Sequence, residues 1–184
     1  MFMKVLVSDF DDTLFNEQYY ENVEEINRFV DIGNCFIIAT GRNVNQLKRD
    51  LAKVDLKFHY LICNDGAIIL DNDFNIIRRT DINSDVTLKI LKELKKDSNI
   101  IEVLIDDGFN YFTDKIENTN AILGRYREPT KAFERIENLM EKFPDIKGYL
   151  SYNWINIINK NTSKGEAIKY LAEKLNLNKN EQPA

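Results

Sequence analysis

The sequence predicts an α/β fold: a parallel sheet with helices on its faces, joined to a small inserted α+β unit. Three observations predict it. Short β-rich apolar runs at residues 4–8 (KVLVS), 35–39 (CFIIA) and 60–63 (YLIC) alternate with two amphipathic helical patterns, and such alternation implies right-handed crossovers between parallel strands. After residue 66 the apolar runs are joined by short turns instead, which is the signature of hairpins. A last helical pattern, opened by a capping sequence, follows residue 163.

Each element has its own local cause. Val23, Ile26, Phe29 and Val30 recur at helical spacing before Gly33, a residue suited to the position just past a helix end. Val44, Leu47 and Leu51 repeat the pattern after Asn43, whose side chain suits an N-cap. AIILD and FNIIR flank an Asn72-Asp73 pair and predict a hairpin with a two-residue turn. A helix over about 84–96 places Val86, Ile90, Leu91 and Leu94 on one side, and IIEVLI, an Asp107-Gly108 turn and FNYFT follow it as a second hairpin. A helix over about 130–143 carries Phe133, Ile136, Leu139, Met140 and Phe143, and IKGYLSY with WINII predicts a third hairpin. Helix and hairpin thus occur twice, predicting an α+β insertion over residues 80–153 between core segments 1–79 and 154–184. In Ser163-Lys164-Gly165-Glu166 the serine and glutamate form a capping box, and Ala167, Ile168, Leu171 and Leu175 line the buried face of the helix it starts.

Composition narrows the function. A chain of 184 residues with 43% hydrophobic and 30% charged residues is globular, one domain with a modest insertion. A net charge of −5 provides no basic field for nucleic acid or an anionic membrane, so any bound phosphate is held locally. The single histidine, His59, excludes histidine-rich zinc sites and reads as structural. Cys35 and Cys63 sit in apolar runs without CxxC spacing, as free buried thiols in a reducing cytoplasm would. No stretch approaches the ~20 apolar residues of a membrane helix, and the first residues carry too short an apolar run for a signal peptide. The expectation is a soluble cytoplasmic protein.

Asp9, Asp11 and Asp12 stand at the carboxyl end of the first predicted strand, where open parallel sheets place their ligand crevice. Residues two apart on an extended backbone share a side, so Asp9 and Asp11 can converge while Asp12 points away. Neighbouring carboxylates push each other's pKa apart, which suits one as nucleophile or metal ligand and the other as acid. Thr40-Gly41-Arg42 occupies the equivalent place after the second strand, where a hydroxyl, a permissive backbone and a cation can hold phosphate oxygens. Lys164 adds a cation at a helix amino terminus, already favourable for anions. Taken singly, each has a plainer explanation as a solvated turn or first-turn residue.

In combination, VLVSDFDDTL, FIIATGR, LICNDGAII and SKGEAIKYL resemble the haloacid dehalogenase superfamily, and within it the Cof-type phosphatases. That resemblance implies a Rossmann-like core with a class-two cap between the second and third motifs, where the predicted insertion lies. It implies that Asp9 is the nucleophile forming an aspartyl-phosphate and a Mg²⁺ ligand. Asp11 would protonate the leaving oxygen and activate the hydrolytic water, its carbonyl also contacting the metal. Thr13 would brace the loop, Thr40 and Lys164 would hold the phosphoryl group with Gly41 as the permissive backbone beside it, and Arg42 and Asn64 would lie near the substrate entrance. Asp12 stands where this family type usually has glycine.

The family follows its lysine helix with a further strand and a GDxxND-like acidic segment. Here the sequence stops at Ala184, twenty residues beyond Lys164, without one. The expectation is therefore a fragment of an enzyme lineage, with weakened Mg²⁺ binding. Val5, Leu6 and Val7 would form an uncovered sheet edge, prone to self-association. The substrate class implied is a small phosphorylated metabolite, a sugar phosphate foremost; the second hypothesis is a non-catalytic phosphate-binding or regulatory module. A response-regulator receiver would need its aspartate after the third strand and no long insertion, and a glycosyltransferase DxD site leaves TGR and the lysine helix unexplained. Arg125 and Arg127 read as a solvated basic loop, and Tyr111, Tyr149 and Trp154 as sheet or core aromatics.

Overall fold

The structure, a computed structural model, describes residues 3–176; residues 177–184 of the predicted core segment lie outside that range. The first sheet has the order β1(Val5–Asp9)-β2(Cys35–Ala39)-β3(Tyr60–Cys63)-β4(Ile68–Asp71)-β5(Ile76–Arg79). β1, β2 and β3 run parallel, with Val5 beside Cys35 and Ile37 beside Tyr60, whereas β4 and β5 run antiparallel. Period-two alternation assigns the two faces. Phe36, Ile38, Leu61, Cys63, Ile68 and Leu70 pack under α1(Tyr19–Asp31) and α2(Val44–Leu51), while Cys35, Ile37, Ala39, Ile62 and Ile69 pack under α5(Lys164–Lys174). β2 is covered on both faces and buried at every position, which is why its sequence is an unbroken apolar run.

The second sheet, wholly antiparallel, has the order β7(Tyr111–Phe112)-β6(Ile100–Asp106)-β8(Ala121–Tyr126)-β10(Trp154–Asn159)-β9(Ile146–Ser151). α3(Ser84–Leu94) and α4(Pro129–Lys142) cover one face through Ile90, Leu91, Leu94, Ile136 and Leu139, set against Ile105, Ile122, Ile155 and Ile157. Each of these aliphatic side chains contributes about 1.5–3 kcal/mol by leaving water. No helix of the described residues covers the other face of this sheet.

Several expectations are corrected. β10 pairs with β8 and β9, so residues 154–159 belong to the second sheet, and the boundary drawn at 153/154 moves past Asn159. Arg125 is no loop residue: it lies in β8, the strand the sequence reading missed, paired to Glu102 at 3.2 Å. The β4–β5 connection spans residues 72–75, not two residues; Asp71 accepts the Asp73 and Asn75 amides at 2.9 and 2.8 Å. Asn43 forms a full capping box with Gln46. The Ser163 box forms only in part: Ser163 Oγ accepts the Glu166 amide at 3.0 Å, without the reciprocal glutamate bond. His59 is structural, its Nδ1 accepting the Phe36 amide at 3.2 Å.

Candidate active site

Asp9 is the last residue of β1, and the chain beyond it folds straight back on itself. The amides of Leu14 and Phe15 donate to the carbonyls of Asp9 and Phe10 at 3.3 and 2.7 Å, and the Asp12 amide donates to Phe15 at 3.2 Å. Phe10, fully buried, stacks on Phe15 with centroids 5.3 Å apart, and Tyr19 closes the cluster edge-on. This apolar pin holds the acidic turn in place. Asp12 takes φ +57°, a left-handed conformation that glycine adopts more freely.

α5 brings its first residue to the same point. Lys164 Nζ donates to Asp9 Oδ1 at 2.6 Å, joining residues 155 apart in sequence. The approach depends on Gly66, at φ +99°, where a Cβ would sit 2.2 Å from the Ser163 carbonyl oxygen. The turn Asn64–Gly66 therefore abuts the start of α5 with no room between them.

Arg42 holds the other acid. Its Nε donates to Asp11 Oδ1 and Oδ2 at 3.0 and 3.1 Å, its Nη1 to Asp50, and its guanidinium lies 4.9 Å from the Phe10 ring centroid. The bond from Asp11 is the main reason the Arg42 pKa is raised. Asp50 is held below its ordinary value by Lys53 and Arg42, against burial. Thr40 is fully buried; its hydroxyl oxygen accepts the Arg42 amide at 3.1 Å, and its carbonyl accepts the Asp65 amide at 3.1 Å. Thus Asp9 meets Lys164, and Asp11 meets Arg42, which is tied to Thr40.

Two predicted residues sit differently from expectation. Thr13 is exposed, and its carbonyl, not its hydroxyl, accepts the Asn16 side chain at 2.8 Å; it lines a groove of about 600 Å³ along β1 with Leu6, Asp9 and Asn22. Asn64 is buried near Asp106, yet neither polar atom of its side chain reaches a partner, while its amide donates to the Arg42 carbonyl at 2.9 Å. Asp106 itself, desolvated at the tip of β6, has its pKa raised by burial.

Sequence reasoning missed Asp65 and Tyr149. Asp65 holds φ +52° with its carboxylate against Gly41, whose Cβ would lie 3.2 Å from Asp65 Oδ1. Tyr149, on the uncovered face of the second sheet, donates its hydroxyl to Asp65 Oδ2. Burial, then the Asp65 charge, raises the phenol pKa. The place of Asp65 at the carboxyl end of β3 could have flagged it; no signal in the sequence points from Tyr149 to the core.

Residues 6–147 match the haloacid dehalogenase-like hydrolases. The chain belongs to this family. Lys164 lies beyond the matched span, so its contact with Asp9 is what joins α5 to the family's acidic motif. The hydrolase superposes on a haloacid dehalogenase-like hydrolase from B. subtilis with TM-score 0.80 at 18% identity, over 96% of this chain and 80% of the other. It superposes on a subclass IIB sugar phosphatase of the same superfamily with TM-score 0.72 at 15% identity, over 96% and 77%. A 5-amino-6-(5-phospho-D-ribitylamino)uracil phosphatase of Bacillus subtilis is 32% identical over 108 residues, 57% of this chain and 37% of that protein. Membership of a hydrolase family favours an enzyme over the non-catalytic module.

Proposed function

We propose that this hydrolase is a phosphatase acting on a small phosphorylated metabolite, a sugar phosphate by class, through an aspartyl-phosphate. The observation that carries the proposal is the contact of Asp9 with Lys164 at the carboxyl end of β1, beside the Asp11–Arg42–Thr40 cluster. Its support from relatives is the sugar phosphatase of like fold and the ribitylaminouracil phosphatase related over 57% of this chain.

In this mechanism the Asp9 carboxylate attacks phosphorus, forming an O–P bond as the bond to the alcohol oxygen breaks. Asp11, released from Arg42 as substrate enters and protonated from solvent, gives that oxygen the proton. A water then attacks phosphorus, Asp11 takes its proton, and phosphate departs with Asp9 regenerated. Lys164 offsets the phosphoryl charge, and the Thr40 hydroxyl retains a proton to donate to an oxygen. The groups that would hold Mg²⁺ are the Asp9 carboxylate and the Asp11 backbone carbonyl, hard oxygen donors that suit an ion keeping several waters and substrate oxygens in its shell. Among the described residues no group of three or more acids, histidines or cysteines is gathered to hold a metal ion. When bound, the ion would supply charge neutralisation at the phosphoryl group.

Free, buried Cys35 and Cys63 support a reducing cytoplasmic location, and no helix of the described residues is long and apolar enough to cross a membrane. The net charge of −5 gives nucleic acid no field to follow. β1 ends the first sheet of the described residues with Leu6 40% exposed, and this edge supports weak self-association. The test is Mg²⁺-dependent release of phosphate from an aryl phosphate. Asp9→Asn should abolish it, and unchanged turnover in that variant would refute the nucleophile assignment.

A further inference from the structure

We propose that Asp65 of the core and Tyr149 of the inserted sheet form a clasp that selects the leaving group, accepting hydroxyls and refusing a second anionic group. The inference rests on the phosphatase reading of the site and specifies what that site admits. Asp65 is fixed beside the segment that carries Thr40, Gly41 and Arg42. Its amide is bonded to the Thr40 carbonyl at 3.1 Å, its carboxylate covers Gly41, and Gly66 beside it is pressed against Ser163 and Lys164. It thus stands between the loop bearing Arg42 and the helix start bearing Lys164.

Its partner is unlike those of the other site acids. Asp9 has Lys164 and Asp11 has Arg42, but Asp65 has no cationic partner among the described residues and is met by a neutral phenol. A phenol donating to a carboxylate is the same interaction that a sugar or polyol hydroxyl would make in its place. A carboxylate or second phosphate there would instead face an uncompensated like charge. The cations flanking Asp65 are already engaged, Arg42 by Asp11 and Asp50 and Lys164 by Asp9, and on the inserted sheet Arg125 is held by Glu102. Lys147 is the one that could answer an anion, because it lies two residues before Tyr149 on the same face of β9.

Tyr149 also ties the clasp to an uncovered surface. Cross-strand pairing places Asn156 beside Tyr149, and Leu123 beside Asn156. Asn156 and Leu123 line a cavity of about 310 Å³ with Leu104 and Trp154. An uncharged leaving group would meet an amide and apolar walls there.

The test is calorimetry on the full chain carrying Asp9→Asn, so that binding is read independently of turnover. The probes are inorganic phosphate, glucose 6-phosphate and 3-phosphoglycerate. With Asp65 intact, glucose 6-phosphate should bind at least about tenfold tighter than 3-phosphoglycerate. Adding Asp65→Asn should shrink the ratio to about threefold or less, mainly by tightening the carboxylate-bearing ligand. Adding Tyr149→Phe should weaken glucose 6-phosphate less than Asp65→Ala does, because the carboxylate remains. A ratio unmoved by Asp65→Asn, or one set by Lys147→Met instead, overturns the clasp while leaving the phosphate site standing. Failure of all three probes to bind overturns the clasp together with the phosphatase reading beneath it.

Discussion

Two neighbouring glycines at the lysine end of the site should respond to alanine with opposite signs. At Gly66 the backbone holds φ +99°, and a Cβ would meet the Ser163 carbonyl oxygen at 2.2 Å and the Lys164 nitrogen at 3.1 Å. A left-handed conformation costs an L-residue about 1–2 kcal/mol, and forced overpacking about 1–3 kcal/mol more. Gly66→Ala should therefore lose about 2–5 kcal/mol, lowering the melting midpoint by about 4–20 °C at this chain length. The backbone that must yield carries Lys164, so phosphate release should fall along with stability. At Gly165, inside the first turn of α5, the nearest atom to an added Cβ is the Ser163 hydroxyl oxygen at 3.7 Å, an ordinary contact. Gly165→Ala should gain about 0.5–1 kcal/mol from helix propensity, raising the midpoint by about 1–4 °C. Scanning calorimetry on both variants, with initial rates on an aryl phosphate, decides the matter. A Gly66→Ala midpoint within about 1 °C of wild type would show that Asn64–Gly66 and α5 are not locked together.

Other perturbations test the remaining parts. Arg42→Lys keeps the charge but loses the fork that grips Asp11 and Asp50, so kcat/KM should fall by about tenfold or more; wild-type kinetics in the lysine variant would exclude a geometric role. Asp12→Gly removes an L-residue from φ +57° and should add about 0.5–1 kcal/mol of stability, read as a higher urea midpoint, whereas a lower midpoint would mean that the carboxylate itself stabilises the turn. Burial pushes Asp97 up, but the Asn99 amide, Tyr126 hydroxyl and Arg135 outweigh it and hold its pKa below 3.8. A depressed folded pKa means stability that is present above the unfolded value and lost as pH falls through the folded one. Asp97→Asn should accordingly flatten the acid loss of stability below about pH 4, and denaturant titrations with unchanged pH slope would contradict the assignment. Burial pushes the Cys63 thiol up to about 12, so a thiol reagent should modify it only as fast as the protein opens; immediate labelling in the native state would refute its burial.

How much of this was legible follows from the range of the forces involved. β1, β2, β3, α1 and α2 are specified by side-chain periodicity against one sheet, which is local information; Val44, Leu47 and Leu51 are each buried where their spacing places them. The site acids were legible because the carboxyl ends of parallel strands are where a crevice must be. β8 was missed because Gly124, Arg125 and Tyr126 interrupt an apolar run only two residues after Ala121 and Ile122, and its strand character comes from neighbours on both sides. The β9–β10 hairpin was legible in IKGYLSY and WINII, whereas the pairing of β10 with β8 is long-range and was not. The fate of Arg42 was also illegible: a cation after a threonine expected to hold phosphate reads as a phosphate ligand until Asp11 and Asp50 are seen to occupy it.

The two cations of the site are consequently unequal, and the inequality assigns their roles. The Lys164–Asp9 pair is a single contact between side chains 34% and 47% exposed. Exposed pairs of this kind contribute about 0–1 kcal/mol, so substrate can separate them at little expense and the ammonium can turn from Asp9 to a phosphoryl oxygen. Arg42 is 25% exposed and is gripped from two directions by carboxylates over a buried ring. Freeing it would leave Asp50, whose side chain is 15% exposed, with Lys53 alone, so in the proposed mechanism the guanidinium stays with Asp50 while Asp11 turns to the leaving oxygen. In the proposed mechanism this fits Lys164, rather than Arg42, to meet the phosphoryl group. Arg42 instead positions Asp11 and stiffens the loop that carries Thr40, a division of labour that residue type and spacing alone could not separate.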